Sequence, residues 1–68
     1  MFILQSYEIE DRFGADNLRA FGTLDEAQAF AENENADERK EPMTWTQVKG
    51  ALIAEDPWNN LRWLIREF

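Results

Sequence analysis

Carboxylates are the side chains of this sequence that could do chemistry. The 68 residues include 14 Asp and Glu against seven Lys and Arg, and they contain no His and no Cys. Without His or Cys, nucleophilic triads, zinc sites and thiol redox chemistry are excluded. What remains is acid–base catalysis by paired carboxylates, binding of a hard cation through oxygen, or electrostatic attraction of a basic partner.

The net charge of −7 is concentrated in one stretch of the chain. Residues 20–38 carry six acids and no base, whereas residues 42–68 carry three acids and three bases. A surface of this kind repels nucleic acid and anionic lipid, so we expect neither direct nucleic-acid binding nor membrane binding. We expect a basic protein surface as the partner. The candidate binding acids are Asp25, Glu26, Glu32, Glu34, Asp37 and Glu38.

The densest part of this stretch, ENENADE at residues 32–38, is also the nearest candidate for a cation site. It does not match an EF-hand loop, because it lacks the Gly at position six and the Glu at position twelve. We interpret it as a solvated helix end. The sequence therefore predicts no metal site, no cofactor and no enzymatic activity.

One helix must position most of the acids, and we predict it at residues 23–34. Thr23 and Glu26 form a capping box, in which the Thr hydroxyl accepts the backbone N–H of Glu26. Asp25 and Glu32 point away from an apolar stripe that recurs at helical spacing. The stripe consists of Leu24, Ala27, Phe30 and Ala31.

The residues before the helix predict a β-hairpin. Ile3 and Tyr7 share one face at a period of two and Ser6 lies on the other, which is typical of a half-buried strand. The intervening segment is rich in turn formers, with Gly14 free to adopt a positive φ. The hairpin consists of a first strand within residues 1–10, a turn at 11–17 and a second strand at 17–21.

The residues after the helix allow two interpretations. The first is an antiparallel meander with strands at 44–48, 51–55 and 61–66, a tight turn at 49–50 and a longer turn at 56–60. The second is helical, with capping signals at Thr44 and at Asp56 followed by Pro57. Its apolar stripe would consist of Trp58, Leu61, Leu64, Ile65 and Phe68. We favour the strands, because Gly50 would interrupt the first helix.

The three tryptophans are most simply core residues of so small a protein. Trp58 is the exception in the strand interpretation, where it lies in the turn DPWNN and would be exposed. Because exposed Trp residues often dominate the binding energy of an interface, Trp58 is a candidate anchor for a partner.

The order of these patterns resembles that of small proteins encoded by phages and mobile elements, including anti-CRISPR and anti-restriction inhibitors. The resemblance covers AFGTLDEAQAFAE and the spacing of Trp45, Gly50 and Trp63. It implies a nucleic-acid mimic that occupies a basic surface of a host complex.

We therefore expect residues 1–68 to form a single acidic α+β domain with a β-hairpin, one helix and antiparallel C-terminal strands. The alternative is a β-hairpin followed by three helices. The expected function is that of a cytoplasmic, non-enzymatic inhibitor that binds a nucleic-acid-binding host complex. The alternative is a small homo-oligomeric assembly protein whose acids only confer solubility, and the sequence leaves monomer and homodimer open.

Overall fold

The computed structural model describes residues 1–10 and 17–68, which form an α+β fold as predicted. The predicted turn at 11–17 lies outside the described residues, except that Asn17 begins a strand. In chain order the elements are β1 (Phe2–Glu8), β2 (Asn17–Phe21), α1 (Leu24–Asn33), a short 3₁₀ helix (Ala36–Glu38), β3 (Thr46–Val48), β4 (Ala51–Asp56) and β5 (Leu61–Glu67).

The strands form one antiparallel sheet in the order β2-β1-β5-β4-β3. The predicted hairpin pairs Phe2 with Phe21, and the predicted meander joins β3, β4 and β5. β5 also pairs with β1, placing Leu4 opposite Ile65. The last strand therefore lies at the centre of the sheet and connects the hairpin to the meander.

The helix packs on one face of this sheet, which we call the inner face. Ala27 and Ala31 have no exposed surface, and their small side chains allow the helix to approach the strands closely. Phe30 contacts Phe21 of β2 with 5.6 Å between ring centroids. The apolar stripe predicted for the helix is thus the surface that packs on the sheet, and the core that it covers contains Leu4, Met43, Ala54, Trp63 and Ile65.

The more buried face of β1 is the one that carries Ser6, and the alternation of residues did not indicate this. Leu4 and Ser6 are 2% and 1% exposed on the inner face, while Ile3 and Tyr7 are only partly buried on the opposite, outer face. The alternation was predicted correctly, but the helix covers the side that carries Ser6. Because Ser6 lies opposite Trp63 in the sheet, a small side chain there leaves room for the large indole of its neighbour.

The helical alternative for the C-terminal residues was wrong. Trp58 and Phe68 belong to its apolar stripe, yet they are 38% and 77% exposed and do not share a buried surface. In the strand arrangement, Trp63 and Ile65 face the helix, and β5 is hydrogen-bonded on both sides. Strand pairing on both sides and the burial of Trp63 and Ile65 therefore outweigh the local helical pattern of these residues.

The tight turn between β3 and β4 is formed by Lys49 and Gly50, as predicted. Both have positive φ angles, 37° and 79°, which is the backbone twist that a two-residue hairpin turn favours. Only glycine adopts this conformation without steric cost. The register of the edge strand β3 therefore depends on Gly50.

We predict that Gly50→Ala lowers the free energy of unfolding by about 1–2 kcal/mol, because a Cβ is strained at positive φ. No atom lies within 4 Å of the position that this Cβ would occupy, so the cost comes from the backbone and not from a clash. Gly22→Ala is the matched control, since Gly22 also has open space but no positive φ. Urea denaturation of both variants checks the prediction, and equal destabilisation would contradict it.

Candidate protein-binding surface

The predicted binding acids begin in the first turn of α1. Thr23 caps the helix and accepts the N–H of Glu26 on its side-chain oxygen at 3.2 Å, as predicted. Asp25 and Glu26 are both exposed. Acidic side chains here also interact favourably with the positive end of the helix dipole, so these two acids have a local structural role.

The other four acids lie at the opposite end of the helix. Glu32 is in the last turn, Glu34 is the C-terminal cap, and Asp37 and Glu38 belong to the 3₁₀ helix. All four are exposed. Glu32 lies about 10 Å along the helix axis from Asp25, so the structure separates the predicted set into two groups. We call Glu32, Glu34, Asp37 and Glu38 the acidic end.

Arg39 holds the acidic end in place. Its guanidinium donates hydrogen bonds to the carbonyl oxygens of Ala31 at 2.9 Å, of Glu32 at 2.6 Å and of Glu34. These carbonyls have no partner within the helix, because they lie at its C-terminus. Arg39 thus satisfies them from a position beyond the helix and places a positive charge at the negative end of the dipole.

The same guanidinium forms an ion pair with the sheet. The Nε of Arg39 lies 2.8 Å from Oδ2 of Asp56, and the two side chains are 6% and 0% exposed. The Nδ2 of Asn59 also donates to that oxygen at 2.8 Å, while Oδ1 of Asp56 has no hydrogen-bond partner among the described residues. Neither charge of the pair therefore contributes much to the surface.

Trp58 lies in the turn between β4 and β5 and is 38% exposed, as the strand interpretation predicted. The next residue, Asn59, donates from Nδ2 to the carbonyl oxygen of Asn35 at 3.2 Å. Asn35 stands between Glu34 and the 3₁₀ helix. This contact places the turn that carries Trp58 beside the acidic end and away from Asp25 and Glu26.

Among the described residues, no basic side chain lies at ion-pairing distance from any of the six candidate acids. Over residues 1–10 and 17–68, the ion pairs within 4.0 Å are Arg39 with Asp56 and Arg62 with Glu55. None of the six candidate acids takes part in either. These six carboxylates therefore form no ion pair within the described part of the chain and remain available to cations and basic proteins.

The ion pair between Arg39 and Asp56 was missed by sequence reasoning. The sequence analysis assigned no role to Arg39, and it placed Asp56 in the turn at 56–60 of the strand interpretation. One signal could have indicated Arg39: a base just beyond a helix whose last turn has none is well placed to cap it. Its partner, 17 residues further along, had no local signal.

Two further observations bear on the chemistry of the described residues. They contain no group of three or more acidic side chains arranged to hold a metal ion. They also contain no helix with the length and apolar character needed to span a membrane.

Comparison of the chain with protein-family models, with curated proteins and with solved structures finds no match.

We predict that Arg39→Met lowers the free energy of unfolding by about 3–5 kcal/mol, because it leaves the carboxylate of Asp56 buried and uncompensated. Arg62→Met is the matched control. It removes a partly exposed ion pair with 3.3 Å between Nη2 and Oε1 of Glu55 and a contact with the ring of Tyr7 at 5.8 Å, so it should cost about 1 kcal/mol.

Urea denaturation of both variants measures these changes. A double variant, Arg39→Met with Asp56→Leu, should recover part of the loss, since no charge is then left buried. Equal effects of Arg39→Met and Arg62→Met would contradict the structural role of the buried pair.

Proposed function

We propose that this chain is a non-enzymatic acidic inhibitor of the kind encoded by phages and mobile elements. It binds a basic surface of a host defence complex or of another nucleic-acid-processing complex, in the host cytoplasm, and competes there with nucleic acid. Its carboxylates take the place of phosphates in this interaction. The acidic end and Trp58 form the main contact, and Asp25 and Glu26 contribute to electrostatic attraction.

The observation that carries this proposal is the set of six exposed acids without a basic partner among the described residues. Arg39, the base that follows them directly, is turned inward and paired with Asp56. Two exposed bases lie nearby, Lys40 in one groove with Glu32 and Arg19 over the ring of Phe30, but the six acids outnumber them and the region keeps a net negative charge. A negative surface of this kind accelerates encounter with a basic protein and disfavours nucleic acid as a partner.

The position of the acidic end also supports a binding role. Asp25 and Glu26 stabilise the start of the helix, but acids at a helix C-terminus interact unfavourably with its dipole. Solubility alone does not require acids at this end, since they could be placed anywhere on the surface. Recognition of a basic partner does account for their concentration in one region.

We predict that reversing Glu32, Glu34, Asp37 and Glu38 to Lys slows association with the partner by at least about tenfold and weakens the dependence of its rate on salt. The partner is first isolated from host cells by cross-linking to the wild-type chain. Stopped-flow association rates over a range of salt concentrations then measure the effect. In the same assay, the partner's nucleic-acid ligand should be displaced by the wild-type chain.

Two double variants control for net charge. Glu34→Lys with Asp37→Lys and Glu8→Lys with Glu67→Lys change the total charge equally, and all four residues are exposed. Only the double variant in the acidic end, Glu34→Lys with Asp37→Lys, should strongly slow association with the partner. Equal association rates for the two double variants would contradict the proposal. An association rate that is unchanged in the fourfold variant would also contradict it.

A homo-oligomeric assembly protein is the second candidate, and the outer face of the sheet favours it. No described helix covers this face, which exposes 65% of Leu18 and 47% of Val48 around the buried Leu64. Five strands of up to seven residues span about 500 Å², so two such faces would bury about 1,000 Å². That area is near the lower limit for a specific interface.

Sedimentation equilibrium separates the two candidates. An assembly protein should form a dimer that persists at high salt, since apolar contacts are not screened, and Leu18→Lys with Val48→Lys should convert it to a monomer. A wild-type monomer at all concentrations would exclude this second candidate and leave the inhibitor. Far-UV circular dichroism of the variant confirms that it remains folded.

A further inference from the structure

An open groove lies beside Trp58 on the outer side of the sheet. It has a volume of about 410 Å³, which is in the range of ligand-binding sites. Trp58 and Pro57 of the β4–β5 turn line one side, and the segment containing Pro42 lines another. The exposed indole thus forms part of the wall of a concave apolar surface.

Two charged residues line this groove, Glu41 and Glu55, and both are acids. None of the described lining residues is basic. Both acids are exposed, so their carboxylates can approach a bound group without a large desolvation cost. An aromatic ring and two carboxylates are the groups that recognise an organic cation.

Lys40 and Lys49 adjoin lining residues of the groove in the chain, and the base that contacts one of its acids is Arg62, which is engaged on the side of β4 that faces β5. Its Nη2 lies 3.3 Å from Oε1 of Glu55, and its guanidinium carbon lies 5.8 Å from the centroid of the Tyr7 ring on β1. Hydrogen bonding to Tyr7 is the largest effect that raises the pKa of Arg62 above its usual value, and Glu55 adds to it. Arg62 is therefore held toward β1, while the groove extends toward β3.

The groove is also close to the acidic end. The contact between Asn59 and the carbonyl oxygen of Asn35 joins the turn that carries Trp58 to the residue after Glu34. A basic segment that binds the acidic end can therefore reach the groove within a few residues. The two regions attract the same class of partner.

We infer that this groove binds an arginine side chain of the basic partner, with the guanidinium stacked on the indole of Trp58 and hydrogen-bonded to Glu41 and Glu55. This inference rests on the proposed function and specifies its ligand chemistry. Arginine fits better than lysine, because a planar guanidinium can stack on an aromatic face and bind a carboxylate through two N–H groups. An ammonium group is smaller and more strongly hydrated, and it has neither a planar face to stack nor a fixed pair of parallel N–H donors.

The test uses N-acetylarginine amide as the probe, with the lysine analogue and the uncharged citrulline analogue as controls. Two-dimensional NMR of the ¹⁵N-labelled chain follows the indole N–H of Trp58 and the backbone amides of Glu41 and Glu55. The arginine probe should shift these signals saturably. The citrulline analogue should bind at least about threefold more weakly, because it lacks the positive charge. The indole N–H of Trp63, which is 3% exposed, should not shift.

Variants of the lining separate binding in the groove from general electrostatic attraction. Trp58→Ala should abolish the saturable shifts, and Glu41→Gln with Glu55→Gln should reduce arginine binding to the level of the citrulline analogue. Equal binding of arginine and citrulline to the wild-type chain would overturn the inference, as would shifts confined to residues 25–38 or no saturable shift at all. The wild-type comparison does not depend on the folding of any variant.

The variant with Lys at the four positions of the acidic end distinguishes this inference from the proposed function. It should lose rapid association with the partner but still bind the arginine probe in the groove. If the probe fails to bind while the acidic end still controls association, only the groove inference is wrong. If the probe binds but the acidic end has no effect on association, the proposed function is wrong.

Discussion

The buried ion pair between Arg39 and Asp56 is the interaction on which the placement of the candidate surface depends. It connects the end of the helix to β4, the strand that leads into the turn carrying Trp58. A buried pair of this kind is an inefficient source of stability, since desolvation offsets much of the Coulomb attraction. The pair matters more for positioning the helix end on the sheet than for the free energy of unfolding. Because the guanidinium also binds the carbonyl oxygens of Ala31, Glu32 and Glu34, the helix end and the sheet are fixed relative to each other.

The acids of the helix and the exposed apolar side chains of the sheet lie on opposite sides of the fold. The helix covers the inner face of the sheet with Ala27 and Ala31, and its acids face outward. The outer face of the sheet carries Leu18 and Val48 without a covering helix in the described chain. Trp58 lies where these two surfaces meet, beside both the acidic end and the groove on the outer face. One surface suits electrostatic attraction over a distance and the other suits apolar contact, so a partner that contacts both obtains rapid association and a long-lived complex.

Patterns of neighbouring residues in the sequence predicted the helix start and the tight turn, which depend on local backbone structure. The N-cap at Thr23 and the hairpin turn at Gly50 are determined by neighbouring residues, and both were predicted correctly. The more buried face of β1 was not, because a strand that alternates apolar and polar residues does not reveal which side a distant helix will cover. The same limit applied to the candidate site. Its acids and Trp58 were visible as residue types, but the ion pair that positions them joins residues 39 and 56, and no local pattern connects the two.

The helix end combines a local conflict with a compensation from elsewhere in the chain. Glu32 and Glu34 stand where the helix dipole disfavours negative charge, and the last turn contains no base. Arg39 supplies the missing positive charge from beyond the 3₁₀ helix, but it is buried and leaves the acids exposed. A base within the last turn would have stabilised the helix more simply while neutralising the surface. A chain that keeps the acids exposed and compensates them from beneath retains a negative surface at some cost in local stability. Such conflicts are expected where a surface serves function more than folding, which is the strongest physical argument for the acidic end as a binding site.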